Sequence, residues 1–453
     1  MRQAVKLCAI AMNEGPYLAD WIFHHLHFGF DAVEIWINGT EDSSAAILER
    51  VRAAHPEVSF TDADELRNEC VHNGSFFQYK AYAEMAAAAE ADGFTHVAFL
   101  DLDEYWVPLD FESSIHSFLP ERRQVNVVSF PWALDVPDAA RHPFDNPFAG
   151  PLHVQRDPHV KSVVRLDDRV RQFRTHTART TSGKRLLLRE PFPLSDKRGQ
   201  QWGSFVDEAT YLAQWAEVPE AFVLHAIHRS QLEYVASMRK VIRRSPDESV
   251  YRTNRLGFGA RARPVLVPAL PQHRVAAYLA ARDAFETRVG IAAELAAARE
   301  AMSQRCEQAI DDAVRDPALM ERLRVALTGV DDPRLGEGSS DWDYRLEWHV
   351  DQTEYDDTAL TLSGWVFSDV LNRDLELGVR DMRGAVVPAA EVAWGERPDV
   401  AAALRGAPIR CGFRAVFPTG PAFDAGTAEL IARPVGAAAW SSAPSSSRAP
   451  RPA

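Results

Sequence analysis

Three carboxylates follow an apolar run in the segment FLDLDEYWVP, residues 99–108. Asp101, Asp103 and Glu104 come directly after "THVAFL", a run that predicts a buried strand. Residues two apart on an extended chain point the same way, so Asp101 and Asp103 can face one bound molecule. Because unpaired charge beside a hydrophobic strand is costly, we expect a positive group close to these carboxylates.

Three kinds of chemistry suit the two aspartates. In the first, they are solvated residues that cap a turn, a role that also fits Glu104. In the second, Asp101 is the nucleophile of a phosphatase of the haloacid dehalogenase type; that pattern has Thr or Val shortly afterwards, where this chain has Tyr105. In the third, they bind Mg²⁺ or Mn²⁺, because hard cations prefer oxygen ligands and use one or two carboxylates together with substrate phosphates.

The first 130 residues alternate between strand and helix patterns, which predicts a mostly parallel sheet covered by helices. The predicted strands are AVKLCAIAM, AVEIWIN, VSFTDA, THVAFL and VNVVSF. The predicted helices are NEGPYLADWIFHHLHFGF, SSAAILERVRAAH and FFQYKAYAEMAAAAEADG. Pro16 suits the first turn of the first helix, and Gly29 suits its C-terminal end. Asp101 and Asp103 then follow a central strand, at the edge where open α/β sheets form their ligand crevice.

Composition divides the chain into five parts, and the stretch from 140 to 260 is predicted to be irregular structure around a site. The parts are an α/β domain (1–260), a helical connector (261–330), a linker (331–342), an accessory antiparallel β-sandwich (343–440) and a disordered tail (441–453). A chain of 453 residues is too long for one ordinary core, which agrees with several domains.

Charge and cysteine content exclude some classes of protein. The net charge is −14, which argues against a nucleic-acid-binding protein, although residues 161–200 hold eleven Lys and Arg against four Asp and Glu. The four cysteines form no CxxC pair, so neither a zinc site nor a disulfide framework is indicated. No segment approaches the roughly 20 apolar residues of a membrane helix, so we expect a cytoplasmic protein, with peripheral membrane association left open.

Five segments in order resemble the family 2-like and family 92-like glycosyltransferases of GT-A fold. They are "AIAMNEGPYLADWIFHHLHFGFDAVEIWINGTEDSS", "THVAFLDLDEYWVP", "HVKSVVR", "THT" around His176 and "LHAIHRSQLEYVASMRK". The resemblance covers about residues 4–245, and it departs from the family at Tyr105, where Phe is commoner, and at Ala226, where Tyr is usual. It implies a GT-A domain that takes a nucleotide-sugar donor, most often a UDP-sugar, and a glycan or surface-polysaccharide acceptor.

The resemblance also implies the roles of individual residues. Mn²⁺ or Mg²⁺ would be held by Asp103, with Asp101 and His225 beside it. The donor would contact a set of residues near the strand ends and the basic stretch: Asn13, Glu14, Asn38, Asp42, Asp101, Lys161 and Arg229. Six of these residues have a plainer alternative: a capped turn for Asn13 and Glu14, turn chemistry and helix capping for Asn38 and Asp42, a structural histidine for His225, and a surface salt bridge for Arg229.

The catalytic base is the least determined part of the site. An inverting enzyme needs a carboxylate that takes the acceptor's proton, and "SFVDEAT" offers Asp207 and Glu208. Asp135 and Asp138 are rival candidates, and each of the four has a surface acid or a helix cap as its alternative. Adjacent helix positions point about 100° apart, so we interpret His24 and His25 as packing residues rather than as ligands of one metal ion.

The C-terminal part resembles a small β-domain often appended to bacterial glycosyltransferases. Trp365, Trp394 and Arg397 are candidates for a carbohydrate-stacking face, with the hydrophobic core of a sandwich as the alternative for the tryptophans. A protein that binds carbohydrate without catalysis is therefore a third functional hypothesis, beside the glycosyltransferase and the phosphatase.

Overall fold

The strands predicted in the first hundred residues form the parallel part of a central sheet. In the computed structural model, β1 (Val5–Ala11), β2 (Ala32–Ile37), β3 (Val58–Asp62) and β4 (His96–Phe99) lie in the order β3-β2-β1-β4, and each neighbouring pair is parallel. β1, β2 and β4 are buried almost throughout, as expected for parallel strands covered on both faces. Their carboxyl ends meet at one edge of the sheet.

The chain divides into two compact units. The first consists of residues 1–252 and 264–315, and the second of residues 253–263 and 316–453. The structure describes residues 3–121, 124–137, 141–192, 218–239, 250–252, 255, 257–259, 265–335, 346–356, 358–368, 375–380, 385–403, 411–419, 423 and 428–434. The predicted helical connector is thus divided at residue 315 between the two units. The predicted domain boundaries stay predictions.

In the described part of the first unit, nine further strands follow β4. They are β5 (Glu104–Pro108), β6 (Val125–Asp135), β7 (Val154–Arg165), β8 (Val170–Phe173), β9 (Ala178–Thr180), β10 (Lys184–Leu187), β11 (Glu190–Pro191), β12 (Ala221–His225) and β13 (Val265–Leu266). β7 pairs antiparallel with both β4 and β6, and β12 lies between β6 and β5. β10 and β13 extend the same sheet, whereas β8 and β9 pair only with each other.

In the described part of residues 140–260, the strands β7 to β12 replace the irregular structure that was predicted there. The longest of them, β7, has twelve residues and carries buried valines between polar residues such as Asp157, His159 and Lys161. Polar side chains at buried positions break the hydrophobic alternation by which a strand is recognised in a sequence. The mixed α/β character is confirmed, and the antiparallel pairs come from the strands after residue 100.

Helices cover both faces of the sheet. They are α1 (Gly15–His27), α2 (Ser44–Ala54), α3 (Asp64–His72), α4 (Phe77–Ala91), α5 (Gln231–Met238), α6 (Gln272–Val289) and α7 (Ala292–Arg315). α1, α2, α6 and α7 share the larger hydrophobic core on one face, and α4 packs on the other through Tyr82 and Met85. α1 has Pro16 in its first turn and ends two residues before Gly29, whose φ of 87° suits glycine, as predicted.

The second unit is built from two antiparallel sheets and short helices. One sheet has the order β14-β15-β19-β18 and the other β17-β16-β20. The elements are α8 (Pro317–Leu323), β14 (Leu346–Tyr355), β15 (Leu360–Ser368), β16 (Leu375–Arg380), β17 (Val386–Pro388), β18 (Glu391–Gly395), α9 (Pro398–Ala403), β19 (Gly412–Phe417) and β20 (Glu429–Pro434). Both sheets contribute to one core, which agrees with the predicted antiparallel sandwich.

The two tryptophans of the second unit differ in exposure. Trp365 is fully buried beside Phe367, Val400 and Cys411, so it lies in the core rather than on a carbohydrate-stacking face. Trp394 is 39 % exposed. Among the described residues, no helix of either unit combines the length and the hydrophobicity needed to cross a bilayer.

Two buried histidines fasten α1 to its neighbours. Nε2 of His24 donates to the Trp106 carbonyl at 2.8 Å, and the Tyr278 hydroxyl of α6 donates to its Nδ1 at 3.0 Å. Nδ1 of His25 donates to the Trp21 carbonyl at 2.8 Å, and its Nε2 accepts from the Trp106 main-chain N–H at 3.3 Å. Carbonyl oxygens only accept and main-chain N–H groups only donate, so these contacts determine the tautomers. The interpretation of both histidines as packing residues agrees with these contacts.

Stability of the first unit should fall as the pH falls below about 6.5. Burial lowers the pKa of His25 to about 3 and that of His24 well below its ordinary value. The neutral rings therefore stabilise the fold fully above the unfolded-state pKa of about 6.5, and this contribution is lost as the pH falls towards 3. Each such histidine should cost up to about 1.4 kcal/mol of unfolding free energy per pH unit in this range.

His25→Gln isolates one of these groups. We expect the difference in unfolding free energy between pH 7.5 and pH 5.5, measured by urea denaturation, to be about 1.4 kcal/mol smaller in the variant than in the natural chain. His25→Gln also removes packing contacts, but that loss is the same at both pH values and cancels in the difference. An equal pH dependence in the two proteins would show that His25 does not titrate on unfolding.

Candidate active site

The segment Asp101–Glu104, which we call the acidic turn, joins β4 to β5. The Glu104 main-chain N–H donates to the Asp101 carbonyl at 2.9 Å, and the Glu104 carboxylate accepts from the Asp101 N–H at 2.8 Å. The indole of Trp21, on α1, donates to the carbonyl oxygens of both residues, at 3.0 and 2.8 Å. The acidic turn is therefore closed on itself and held by α1.

Lys161 on β7 is the positive group beside these carboxylates. Its Nζ lies 2.8 Å from Oε2 of Glu104 and 3.4 Å from Oδ2 of Asp101. Lys161 and Glu104 are buried, whereas the Asp101 side chain is 42 % exposed. A buried cation thus neutralises the inner side of the acidic turn and leaves Asp101 at the surface of the crevice. The predicted contact between Lys161 and a donor stays a prediction.

Burial affects the two partners of this ion pair differently. Burial by itself would lower the pKa of the Lys161 ammonium. The nearby Asp101 and Glu104 raise this pKa by more than burial lowers it, so the lysine stays charged. Burial raises the pKa of Glu104 to about 7, against the opposing effect of Lys161. The negative charge of Glu104 therefore depends on the positive charge of Lys161 beside it.

Asp103 lies on the other side of the buried Leu102 and faces His225. Nε2 of His225 is 3.4 Å from Oδ2 of Asp103, and the Ala226 N–H donates to the Asp103 carbonyl at 2.7 Å. The pairing of β12 with β5 puts His225 opposite Glu104 and so brings it to the acidic turn. The structure thus brings together Asp101, Asp103 and His225 at one edge of the sheet.

Asp101, Asp103 and His225 are the candidate ligands for a divalent cation. Within the described ranges, no three His, Cys, Asp or Glu side chains are arranged so that they could hold a metal ion by themselves. Mg²⁺ and Mn²⁺ use one or two protein carboxylates and take the remaining ligands from water and phosphate. The partly exposed Asp101 and Asp103 fit that mode of binding, whereas a site made only of protein ligands does not fit.

Arg229 also holds the main chain of the acidic turn. Its Nη2 donates to the Leu102 carbonyl at 2.7 Å, and its guanidinium carbon lies 3.2 Å from the centroid of the Tyr17 ring. The residue is buried and has a φ of 49°, in the left-handed region. These contacts position the main chain of the turn, and the predicted clamp on a phosphate stays a prediction.

Asp135, a candidate base, supports the backbone around Arg229. Its carboxylate accepts from the main-chain N–H groups of His228 and Arg229, at 3.0 and 2.8 Å. Burial by itself would raise the pKa of this carboxyl, but hydrogen bonds from His228 and Arg229 lower it below its ordinary value. Asp135 is thus an anion engaged in holding a loop, which suits a positioning role better than proton transfer. The other candidate bases, Asp138, Asp207 and Glu208, lie outside the described residues.

The predicted donor-binding residues at the ends of β1 and β2 tie two loops together. The Asn13 side chain accepts from the Glu41 N–H at 2.7 Å, and Asp42 accepts from the N–H groups of Gly15 and Ser44, both at 3.0 Å. Glu14 occupies the position before α1. The contacts of Asn13 and Asp42 agree with the turn and capping roles that were the alternatives, whereas the Glu14 side chain makes no hydrogen bond that caps α1.

Asn38 differs from its neighbours because one of its buried polar atoms has no hydrogen-bond partner among the described residues. Its amide group donates to the Ala11 carbonyl at 3.3 Å, but the buried Oδ1 has no hydrogen-bond partner among the residues that the structure describes. An unmade hydrogen bond at a buried acceptor costs about 1–3 kcal/mol. This oxygen could therefore accept a hydrogen bond from a bound molecule.

An aromatic cluster beside His225 was not predicted as a unit. Trp132 on β6 lies against the rings of His225, His159 and His176, with centroids 4.3, 5.1 and 5.1 Å apart. The segments "HVKSVVR" and "THT" contain two of these histidines, but the sequence carries no signal that Trp132 joins them. Strand pairing between β6, β7 and β12 assembles the cluster.

No protein-family model matches the chain, and a search of curated proteins finds no significant match.

Removing the positive charge of Lys161 should destabilise the first unit in a pH-dependent way. Lys161→Met leaves Glu104 buried without a cation, and the carboxyl responds by taking up a proton, so we expect a cost of about 1–2 kcal/mol at pH 7.5. At pH 5 the cost should be smaller, because Glu104, whose pKa is about 7 beside Lys161, is then protonated in both folded proteins. Urea denaturation of the variant and the natural chain at both pH values measures the difference.

The double variant Lys161→Met/Glu104→Gln is the control. Gln keeps an acceptor for the Asp101 N–H and carries no charge, so we expect the double variant to regain most of the stability lost at pH 7.5. If the single and double variants were equally unstable, lost packing rather than uncompensated charge would be the cause.

Proposed function

We propose that this protein is a metal-dependent glycosyltransferase of GT-A fold that moves a sugar from a nucleotide-diphosphate donor, in the first place a UDP-sugar, to a hydroxyl of a glycan. The observation that carries the proposal is the acidic turn: Asp101 and Asp103 at the carboxyl edge of the sheet, with His225 beside Asp103. The resemblance of five segments in order to family 2-like and family 92-like enzymes supports it.

The placement of the acidic turn supports a nucleotide-diphosphate ligand. The turn follows β4, and the Asn13 and Asn38 loops follow β1 and β2, so all three lie at the edge where open α/β sheets bind ligands. Oδ1 of Asn38 is a buried acceptor to which a nucleoside could donate a hydrogen bond. Asp101 and Asp103 would hold the cation, with the diphosphate supplying further oxygen ligands.

A bound Mn²⁺ or Mg²⁺ would offset the negative charge that develops on the leaving nucleotide. The residues of the chain do the remaining work. Trp21 and Arg229 fix the main chain of the acidic turn, and Lys161 neutralises Glu104 so that the turn tolerates burial. Preorganised groups of this kind need no rearrangement during the reaction, which is what electrostatic stabilisation requires.

The first test is calorimetry with UDP in the presence and absence of Mn²⁺. We expect the natural chain to bind UDP only with Mn²⁺, and Asp103→Asn to weaken that binding at least tenfold, because the metal loses a charged oxygen ligand. Asp62→Asn is the matched control: Asp62 is an exposed carboxylate at the end of β3, on the same edge of the sheet. Equal affinity in Asp103→Asn and the natural chain would contradict the proposal.

The same proteins separate the rival functions. A phosphatase with Asp101 as nucleophile would form an aspartyl-phosphate and release inorganic phosphate without any sugar transfer. A carbohydrate-binding protein without catalysis would bind glycans equally well with and without nucleotide and Mn²⁺. The glycosyltransferase proposal predicts neither result.

A further inference from the structure

The pairing of β6 with β7 is interrupted beside the acidic turn. Pro131 pairs with Val160, but the next residue, Trp132, pairs with Asp157. Pro158 and His159 therefore have no residue opposite them, which defines a β-bulge. Bulges are frequent next to active sites, where they redirect a side chain out of the regular ladder. Here the bulge puts His159 against the Trp132 ring, with centroids 5.1 Å apart.

Asp157 orients the redirected imidazole. The Asp157 carboxylate is buried, and its Oδ1 accepts from the main-chain N–H of His159 at 3.1 Å and from Nδ1 of its ring at 2.5 Å. A carboxylate accepts hydrogen bonds, so the ring proton lies on Nδ1 and the lone pair lies on Nε2. The same carboxylate would stabilise the imidazolium formed when Nε2 takes up a proton. A base held in one tautomer by a third group is the usual arrangement of general bases.

The position of His159 relative to the acidic turn suits proton transfer. Trp132 lies between the rings of His159 and His225, and His225 in turn faces Asp103. His159 is thus one indole ring away from the proposed diphosphate site, on the side of the antiparallel strands. Its side chain is 30 % exposed, so a substrate hydroxyl can reach it. The Trp132 N–H is buried and has no acceptor among the described residues, which leaves a donor beside the same cluster.

The neighbouring groups are less suited to this role. His176 donates from Nδ1 to the Val160 carbonyl at 3.1 Å and has no carboxylate there. Burial, together with the charge of Lys161, lowers the pKa of His176 to about 3, which makes it a poor proton acceptor. Asp135 already accepts from two main-chain N–H groups. Of the groups weighed among the described residues, the Asp157–His159 pair therefore suits the role best.

We propose that His159, held by Asp157, is the general base that takes the proton of the acceptor hydroxyl; this rests on the proposed function. The acceptor O–H proton moves to Nε2 of His159 while the oxygen forms a bond to the anomeric carbon of the donor sugar. The bond from that carbon to the diphosphate oxygen breaks, and its electron pair leaves with the nucleotide diphosphate. The imidazolium then returns its proton to water.

His159→Ala tests the proposal with UDP-sugars as probes. UDP binding in the presence of Mn²⁺, measured by calorimetry, should stay within about twofold of the natural chain, because His159 packs against Trp132 and pairs with Asp157, which are not proposed ligands of the cation or the diphosphate. Mn²⁺-dependent release of UDP from a panel of UDP-sugars, with water as the acceptor, should fall by about 10²–10⁴-fold. Added imidazole should restore part of the rate, which a purely structural role would not allow.

His55→Ala is the matched control. His55 also pairs through Nδ1 with a carboxylate two residues away, Glu57 at 3.1 Å, but it lies at the amino end of β3. We expect its UDP release to equal that of the natural chain and to be unaffected by imidazole. A readout that needs no turnover is the ¹⁵N spectrum of histidine-labelled protein, in which His159 should carry its proton on Nδ1 and Asp157→Asn should abolish that preference.

Each outcome points to one proposal. If His159→Ala bound UDP and released it at the rate of the natural chain, the assignment of His159 as the base would be overturned. The proposed glycosyltransferase function would not be affected by that result. UDP binding by the natural chain without release from any UDP-sugar would also count against the base. Failure of the natural chain to bind UDP with Mn²⁺ would overturn the proposed function itself. A proton on Nε2 of His159 would overturn the orienting role of Asp157.

Discussion

A lysine ammonium buried against two carboxylates is the interaction on which the rest of the site depends. Without Lys161, the acidic turn could not follow a buried strand, because Glu104 would be a charge with neither water nor a counter-ion around it. With Lys161 in place, the inner carboxylate is neutralised and the outer one, Asp101, remains partly exposed. The arrangement divides the three carboxylates into one that is structural and two that are available to a ligand.

The neighbouring elements hold the turn by its main chain, which leaves the side chains of Asp101 and Asp103 to the crevice. Trp21 donates to two of its carbonyl oxygens, and Arg229 donates to a third. Two histidines and a tyrosine in turn fix α1 against β5. The parallel strands bring the asparagine loops to one side of the turn and the antiparallel strands bring the aromatic cluster to the other. We place the donor and the acceptor of the proposed reaction on these two sides respectively.

Local patterns predicted most elements before residue 100, although not α3, whereas in the rest of the first unit they predicted few strands beyond VNVVSF of β6. β1, β2 and β4 are mainly apolar runs, and α1 carries its own start and stop signals in Pro16 and Gly29. β5 was missed because it begins with Glu104, whose burial makes sense only once Lys161 is beside it. β7 was missed because its polar residues interrupt the alternation that marks a strand. The burial of Trp365 could not be decided from the sequence either, because no local feature distinguishes a core tryptophan from a surface one.

The sequence by itself determined the alternation of strands and helices in the first unit, the antiparallel strands of the second, and the pair of aspartates that follows a central strand, because hydrophobic periodicity and turn residues act over a few positions. Only the tertiary structure decided which carboxylate is neutralised, which histidine faces Asp103 and which histidine is oriented by Asp157. Lys161 lies 60 residues beyond Asp101 in the chain, and His225 lies further still. Contacts of that separation depend on strand order and register, and a bulge of two residues was enough to direct His159 towards the site.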